Sequence, residues 1–294
     1  MSPAHGASGA GPLGPRPRVR SASGRWRSVL FVPGNRPELA AKAPRSGPDA
    51  VVLDLEDAVP PAAKAESRAT VREAAAELAG VVPVCVRVNP PGTPWFVDDV
   101  AALPDGLAAV VVPKLDTAAQ VADVAEALGG RPVVAGLETV RGVADARDVL
   151  APPVTACYFG AEDYIADLGG VRTPGNAEVA WARSFVAVAA RLAGVAALDM
   201  VTIDFGDHDR FTAEAREARA LGYAGKMCIH PAQVSLARAA FQPTADEVDA
   251  ARRLLAAFEE AGGDTIAFEG QMVDEVVAAR ARAVVAAGAA GAEG

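Results

Sequence analysis

Short apolar runs alternate with longer Ala-rich segments along most of this chain. Runs rich in β-branched residues predict eight strands, which cover residues 28–32, 50–55, 83–88, 108–113, 132–138, 154–160, 199–205 and 225–230. Seven of these runs are nearly continuous in apolar residues, as expected of parallel strands that are covered on both faces. The run at 225–230 has the weakest strand pattern.

The segments between these runs carry the three- and four-residue spacing of amphipathic helices. Val71, Ala75 and Leu78, for example, fall on one side of a predicted helix, and charged residues fall on the other. Thr117 is a suitable N-cap for a second helix. The clearest predicted helices cover residues 63–79, 117–129 and 176–194.

Alternating strands and helices predict a parallel α/β architecture. Eight repeats in about two hundred residues favour a TIM (β/α)8 barrel over a doubly wound sheet. No Gly-rich phosphate-binding sequence follows the first run, which weakens the nucleotide-binding alternative. We therefore predict the α/β class, with a TIM barrel catalytic domain over residues 27–240.

The chain beyond the barrel has a different pattern. Thr244 and Glu247 form a predicted capping box at the start of a helix over 244–263. A short apolar stretch and a second Ala-rich helix, 275–288, follow. We predict that residues 241–294 form a C-terminal helical extension that acts as a lid, over this barrel or over a neighbour's.

Composition and charge narrow the function classes. The chain has 294 residues and a formal net charge of −9, which argues against binding to nucleic acid or to an anionic membrane. Three cysteines stand far apart in apolar runs, as in buried free thiols of a reducing compartment, so we expect a cytoplasmic protein. No apolar run has the length of a membrane span. Residues 1–26, rich in Gly, Pro, Ser and Arg, predict a disordered tail, with a transit peptide as the alternative.

Ionisable residues follow the predicted strands, at the end of the barrel where active sites of this fold lie. A buried charge costs several kcal/mol unless it is paired or binds a metal, so solubility alone does not explain a ring of charged strand ends. In chain order these residues are Asp54, Glu56, Asp57, Arg87, Lys114, Glu138, Glu162, Asp163, Asp204 and His230, and the neutral but polar Asn89 follows Arg87.

Two of these carboxylates, Glu138 and Asp163, follow neighbouring strands. They suit Mg²⁺, which takes a couple of carboxylates together with waters and substrate oxygens. Considered by itself, each residue also has a purely structural interpretation. Glu138 would be a loop carboxylate, and Asp163 would be the N-cap of a helix. Arg87 is then a salt-bridge partner of Glu56 or Asp57.

Other chemistries have less support. The chain has no Cys/His cluster with zinc spacing. No Ser or Cys sits in a nucleophile elbow. Lys114 could form the Schiff base of an aldolase, although a lysine beside two metal carboxylates is more often their charge partner.

Seven stretches, in order and on the predicted strand ends, carry a resemblance to a known family. The chain resembles the citrate lyase beta subunit-like group of the HpcH/HpaI aldolase superfamily from about Arg27 to Val285. The matching stretches are 30-LFVPGN-35, 52-VLDLEDAV-59 with Lys64 and Arg68, 86-VRVN-89, 136-GLET-139, 160-GAEDY-164, 222-GYAGKMCIHPAQV-234 and 270-GQMVD-274.

The resemblance implies a Mg²⁺-dependent barrel, with Mn²⁺ as a substitute, that assembles as a homotrimer or hexamer. It implies that Glu138 and Asp163 ligate the metal. Arg87 would bind the substrate oxygens and the enolate that develops. Glu56 and Asp57 would hold metal waters and orient Arg87.

The resemblance also implies roles for residues away from the metal. Asp274 matches an acid on the family's C-terminal lid, which reaches the active site of the next subunit and there donates or accepts the proton. Arg36, Lys42 and Lys226 are the candidate cations for the CoA arm of an acyl-CoA substrate.

Several reactions fit these residues. The favoured one is cleavage or formation of a malyl-, citramalyl- or related 3-hydroxyacyl-CoA, with acetyl-CoA or propionyl-CoA and a keto acid as the other side of the reaction. Alternatives are hydrolysis of a malyl-type thioester, action on a carrier-protein thioester in a citrate lyase complex, and a non-catalytic acyl-CoA sensor. The loops 170–176 and 206–211 depart from the family's pattern and leave the acyl group open.

Overall fold

Eight parallel strands close into a barrel in chain order, and the eighth pairs with the first. The computed structural model describes residues 26–292, with side chains described through residue 289. Within that range the barrel strands are β1 Ser28–Pro33, β2 Ala50–Asp54, β3 Val84–Arg87, β4 Ala109–Val112, β5 Val133–Leu137, β6 Val154–Phe159, β7 Ala196–Asp199 and β8 Gly225–Cys228. The predicted TIM-like α/β fold is confirmed.

Helices surround the barrel and form most of the C-terminal extension. They are α1 Pro37–Ala40, α2 Lys64–Leu78, α3 Phe96–Ala101, α4 Ala118–Ala127, α5 Val140–Ala144, α6 Ala146–Val149, α7 Ala161–Leu168, α8 Ala180–Ala193, α9 His208–Leu221, α10 Pro231–Phe241, α11 Ala245–Glu260 and α12 Glu275–Ala292, with short 3₁₀ helices at Ala43–Ser46 and Pro61–Ala63.

Alternation along the strands decides which side chains enter the barrel. Val52 and Cys85 pack in an apolar cluster inside it, while a larger apolar cluster fills the layer between the strands and the helices. Asp54 and Arg87 lie two residues beyond Val52 and Cys85 on β2 and β3, in register with each other. They therefore point into the barrel at the ends of their strands.

Strand β7 begins and ends earlier than predicted. The prediction of a strand over 199–205 is wrong, because β7 covers Ala196–Asp199 and Asp204 lies in the loop beyond it. Helix α8 ends at Gly194, whose left-handed backbone (φ 70°) stops the helix, and the strand follows almost at once. The residues before Asp199 are as apolar as those after it, so the pattern alone did not separate the two runs.

The position of Lys226 corrects another prediction. Its side chain is completely buried, and its Nζ donates to Asp199 Oδ2 and to the Met200 carbonyl, each at 2.7 Å. Arg183 also binds Asp199, at 2.8 and 3.0 Å. Lys226 is therefore the partner of buried acids behind the barrel wall and has no exposed atom with which to contact CoA.

The start of the described chain corrects the boundary of the predicted tail. Trp26 is only 7% exposed and packs with the cluster inside the barrel, so it belongs to the barrel. Residues 1–25, on which the rest of the tail prediction falls, lie outside the described residues.

The C-terminal extension has an apolar cluster of its own. The capping box of Thr244 and Glu247 is present at the start of α11. Strands β9 (Ile266–Phe268) and β10 (Gln271–Val273) then form an antiparallel hairpin. The extension's cluster is centred on Phe258, Val273 and Ala278. In the part of the chain that the structure describes, no helix is both long and apolar enough to cross a membrane. The division into separate domains stays a prediction.

Candidate active site

The guanidinium of Arg87 is fixed by Asp54. Arg87 Nε donates to Asp54 Oδ1 and its second terminal nitrogen to Oδ2, each at 2.7 Å. The Asp54 side chain is 2% exposed and that of Arg87 is 12% exposed. Such a two-pronged pair fixes orientation as well as charge, and the ring of Phe31 packs against the guanidinium at 4.7 Å. The pair raises the pKa of Arg87 well above its ordinary value despite burial.

Glu56 and Asp57 do not contribute equally to this arrangement. Glu56 is buried, and its Oε2 lies 2.9 Å from a terminal nitrogen of Arg87. Asp57 is 3.8 Å away and its side chain is 63% exposed. Asp54, to which the sequence analysis assigned no role, is thus the main residue that orients Arg87, with Glu56 second.

A buried lysine holds the loop that carries Glu56. Lys64 Nζ donates to the carbonyls of Leu55 and Glu56, each at 2.8 Å, and to Asn89 Oδ1 at 2.7 Å. Asn89 in turn donates to the Leu55 carbonyl at 3.0 Å. All three ammonium protons of Lys64 are therefore used: two hold the backbone next to the acids, and the third holds the side chain of Asn89.

Glu138 is as deeply buried as Asp54 at the mouth of the barrel, with 1% exposure. Its Oε1 accepts a hydrogen bond from the Tyr158 hydroxyl. Its buried Oε2 has no hydrogen-bond partner among the described residues. Burial raises the pKa of Glu138 to about 8, and the charge of Glu56 adds to this increase.

Two glycines leave the space that Glu138 occupies. A Cβ atom at Gly160 would lie 2.5 Å from Glu138 Cγ. A Cβ atom at Gly136 would lie 2.7 Å from Glu138 Oε1 and from the Tyr158 hydroxyl oxygen. Real Cβ atoms do not approach other atoms so closely, so a residue with a side chain at either position would displace Glu138 or Tyr158.

Lys114 joins the acids on the other side of the site. Its Nζ lies 2.7 Å from Glu56 Oε1, 3.4 Å from Asp163 Oδ1 and 3.7 Å from Glu138 Oε2. Burial would lower the pKa of Lys114, but the hydrogen bond to Glu56 and the nearby carboxylates outweigh it and raise that pKa. A lysine held protonated is a poor nucleophile, so the structure favours the charge partner over the Schiff base.

Asp163 lies in the first turn of α7, where carboxylates are favoured by the helix dipole. It is not the N-cap, which is Gly160. Its side chain is 42% exposed. Glu138 and Asp163 therefore both lie near Lys114. Glu138 approaches it from the buried floor of the site, and Asp163 from the exposed rim.

A cavity of about 400 Å³ opens above these residues. One wall is polar and includes Asp54, Arg87 and Glu138, and the opposite wall is apolar and includes Val201 and Met227. A ligand here would meet fixed charge on one side and hydrocarbon on the other, as in many small-molecule sites.

The chemistry of the acids fits a hard divalent cation. Glu138 offers a buried carboxylate oxygen that has no hydrogen-bond partner among the described residues, and both Glu138 and Asp163 lie near the ammonium of Lys114. Within residues 26–289 no group of three or more His, Cys, Asp or Glu side chains is arranged to enclose a metal. A cation held by two carboxylates would complete its shell with waters and ligand oxygens, as Mg²⁺ commonly does.

The remaining predicted residues lie away from this cluster. Asp274 precedes α12, and its Oδ1 accepts a hydrogen bond from the Val277 amide at 3.0 Å. Among the described side chains, no hydrogen bond or ion pair joins Asp274 to Arg87 or Glu138. Arg36, just after β1, is exposed and paired with Glu38 at 2.6 Å. Lys42 is also exposed. The roles of Asp274, Arg36 and Lys42 stay predictions.

One residue of the cluster, Tyr158, was not predicted. It lies on β6 in an almost wholly apolar run, where a tyrosine is usually a core residue. The alternation of side chains along β6 could have identified it. Ala156 and Tyr158 both face the inside of the barrel, on the strand next to β5, which Glu138 follows.

The barrel and its acid–arginine cluster place the chain in a known class. It belongs to the HpcH/HpaI aldolase/citrate lyase family, whose sequence pattern matches residues 27–231. The predicted family is therefore confirmed.

Individual relatives extend the likeness beyond the barrel. The chain is 53% identical over 272 residues to a citrate lyase subunit beta-like protein of Deinococcus radiodurans, covering 88% of this chain and 96% of that one. It is 34% identical over 268 residues to a (3S)-malyl-CoA thioesterase of Cereibacter sphaeroides, covering 89% and 94%. The crystal structure of CitE from Mycobacterium tuberculosis in complex with magnesium, acetoacetate and coenzyme A matches with a TM-score of 0.80 at 38% identity, covering 89% of this chain and 97% of that one.

Proposed function

We propose that this protein is a Mg²⁺-dependent carbon–carbon lyase that cleaves or forms a malyl-, citramalyl- or related 3-hydroxyacyl-CoA. The other side of the reaction is acetyl-CoA or propionyl-CoA and a keto acid. One observation carries the proposal: a buried oxygen of Glu138, with no hydrogen-bond partner among the described residues, shares a cavity of about 400 Å³ with an Arg87 whose orientation is fixed. The magnesium, keto acid and coenzyme A bound to the M. tuberculosis relative support the ligand classes.

Glu138 and Asp163 are the residues that would hold the cation, Mg²⁺ or Mn²⁺ in its place. When bound, the metal supplies Lewis-acid chemistry that lowers the pKa of a substrate hydroxyl. Tyr158 keeps Glu138 in place by donating to its other oxygen. We propose that Glu56 and Asp57 hold waters near the metal, and that Glu56, 2.9 Å from Arg87, also helps to orient it.

Arg87 provides the second half of the chemistry. Breaking a bond next to a thioester leaves an enolate, whose negative oxygen needs fixed donors or positive charge. Arg87 lines the cavity and is already oriented by Asp54, so its charge need not reorganise when the enolate forms. Such preorganised stabilisation is often the largest contribution to catalysis.

Asp274 is the proposed proton donor or acceptor at the enolate carbon. We propose that it acts in the barrel of a neighbouring subunit of a homotrimer or hexamer. Its place on the extension, whose apolar cluster is separate from the two clusters of the barrel, suits a segment that serves another copy. Arg36, just after β1, and Lys42, just after α1, are exposed and are the proposed contacts of the CoA phosphates.

The test is a cleavage assay with malyl-CoA, citramalyl-CoA, citryl-CoA and 3-hydroxy-3-methylglutaryl-CoA, run with Mg²⁺ and with EDTA. Mass spectrometry of the products should show a keto acid with acetyl-CoA or propionyl-CoA for one of them, and EDTA should stop the reaction. Absence of C–C cleavage for every substrate, in protein shown to bind Mn²⁺, would reject the lyase.

A second candidate is a malyl-type thioesterase, which the 34% identical relative from C. sphaeroides favours. It predicts free CoA and an intact hydroxy acid in the same assay. Turnover only with carrier-protein thioesters would point to a citrate lyase subunit. Binding of CoA esters without turnover would point to a sensor.

A further inference from the structure

Lys114 occupies the centre of the acidic end of the site. Its single ammonium group lies within 4 Å of three carboxylates, those of Glu56, Glu138 and Asp163. Two of these are the proposed metal ligands. The ammonium therefore lies where the negative charge of the ligand pair is concentrated.

The backbone of Lys114 has an unusual conformation. Lys114 has a φ of 54°, in the left-handed region that residues with a Cβ atom seldom adopt. Such conformations are held by the surrounding structure and are concentrated at functional sites. Here the left-handed residue comes directly after Pro113, which follows β4, and Leu115, next along the chain, is hydrogen-bonded to the Gly136 carbonyl at 3.2 Å.

Of the three contacts, only one is a hydrogen bond. Lys114 donates to Glu56 at 2.7 Å, whereas its distances to Asp163 and Glu138 are 3.4 and 3.7 Å. The side chain is 27% exposed and has a flexible four-carbon stem. It can keep the bond to Glu56 while its ammonium moves away from the other two acids.

We propose that the Lys114 ammonium is a built-in competitor of the divalent cation. In the metal-free protein it balances the charge of Asp163, and that of Glu138 when this carboxyl is ionised, and it gives up both contacts, while keeping Glu56, when the metal binds. The inference rests on the proposed metal site. Because like charges a few ångströms apart repel strongly even near a protein surface, Lys114 weakens metal binding and sets the concentration at which the site fills.

The test measures Mn²⁺ affinity on the full-length protein, from the free-ion EPR signal during a titration, so that activity is not needed. Lys114→Met should bind Mn²⁺ at least about tenfold more tightly than the wild type. Lys114→Gly should do the same, and glycine accepts the backbone conformation of this position, which guards against misfolding. Lys114→Arg, which keeps the charge, should stay within about threefold of the wild type.

A matched control removes a positive charge elsewhere. Arg131 is half-buried and paired with Asp105 at 3.2 Å. The Arg131→Met variant should bind Mn²⁺ with unchanged affinity. Equal or weaker Mn²⁺ binding in both Lys114→Met and Lys114→Gly would overturn the inference and leave the metal site standing. A wild-type protein that binds no Mn²⁺ would overturn the proposed metal site and this inference with it.

Discussion

Asp54 and Arg87 lie in register on β2 and β3 and form a two-pronged ion pair inside the barrel. The pair sets where the positive charge points in the cavity. Asp54→Asn keeps the shape of the side chain but removes its charge and one acceptor. We expect kcat to fall by about 10²-fold with a smaller change in KM, because oriented charge matters most in the transition state.

Steady-state kinetics on the best substrate of the panel will check this. Asp105→Asn, at a fully exposed carboxylate, is the control and should leave kcat unchanged. An Asp54→Asn enzyme with normal kcat would show that Arg87 needs no such anchor.

The Tyr158 hydroxyl is expected to support metal binding through Glu138. Tyr158→Phe removes the donor that holds one oxygen of the carboxylate, and loss of such a supporting hydrogen bond typically costs 10–100-fold in metal affinity. We expect at least about tenfold weaker Mn²⁺ binding by EPR titration. Tyr164→Phe, on α7, should change it by less than about twofold, since the ring contact with Phe159 at 5.5 Å is kept. Equal affinities in the two variants would exclude the role of Tyr158.

The raised pKa of Glu138 predicts how metal-free stability depends on pH. Its pKa rises from the ordinary 4.5 to about 8 on folding, so between these values the folded protein binds one more proton than the unfolded chain. Stability then falls as the pH rises from about 5 to 8. Glu138→Gln removes this contribution. The loss of unfolding free energy between about pH 5 and 8 should then be smaller by at least about 1 kcal/mol than in the wild type.

Urea unfolding in EDTA at pH 5.5 and pH 8 will measure the difference between the two proteins. Saturating Mg²⁺ should abolish the wild-type decline, because the cation takes the place of the proton. Parallel pH profiles for wild type and Glu138→Gln in EDTA would contradict the prediction.

Lys226 is expected to act on stability and not on CoA binding. Lys226→Met leaves Asp199 and Glu214 with one fewer buried partner, since Lys226 Nζ lies 2.7 and 3.6 Å from them. Removing one partner of a buried pair costs about 3–5 kcal/mol, which a urea titration will show. The affinity of the folded fraction for CoA, measured by calorimetry, should not change. A selective loss of CoA binding at full stability would restore the original assignment.

Asp274→Asn tests the lid. We expect turnover to fall by at least about 10²-fold, as for a lost general acid or base, with Mn²⁺ and CoA affinities within about twofold. The asparagine can still accept from the Val277 amide, so α12 keeps its cap. Mixing Asp274→Asn with an Arg87→Ala protein should restore part of the activity if the acid serves a neighbour's barrel. Unaltered turnover in Asp274→Asn would exclude this residue as the proton carrier.

Much of the barrel and its site could be predicted because one physical rule governs both. Parallel strands that are buried on both faces are apolar throughout, so a charged residue at a strand end is easy to recognise. Because successive side chains of a strand point to opposite faces, every second residue points into the barrel. Glu138 and Arg87 were identified as charged residues at strand ends, and their roles came from the resemblance to the family. The same rule applied to β2 would have put Asp54 next to Arg87, since it lies two residues beyond the inward-facing Val52.

The failures have equally specific causes. Lys226 is a charged residue within a strand, and only the fold shows that it faces the helices and meets Asp199 there. Strand β7 was misplaced because two apolar runs adjoin Asp199. Lys114, which contacts Glu56, Glu138 and Asp163, has a left-handed backbone, a conformation that no apolar pattern predicts.

Gly136 and Gly160 are part of the site although neither has a side chain. Neither glycine can gain a Cβ atom without displacing Glu138 or Tyr158, so the space they leave is as specific to this chemistry as the acids themselves. If Glu138 and Asp163 hold the metal as proposed, we expect a related chain that keeps both acids but has a larger residue at either glycine to hold its metal differently or to have lost it. These two positions can therefore sort active members of the family from inactive ones when the ligands alone do not.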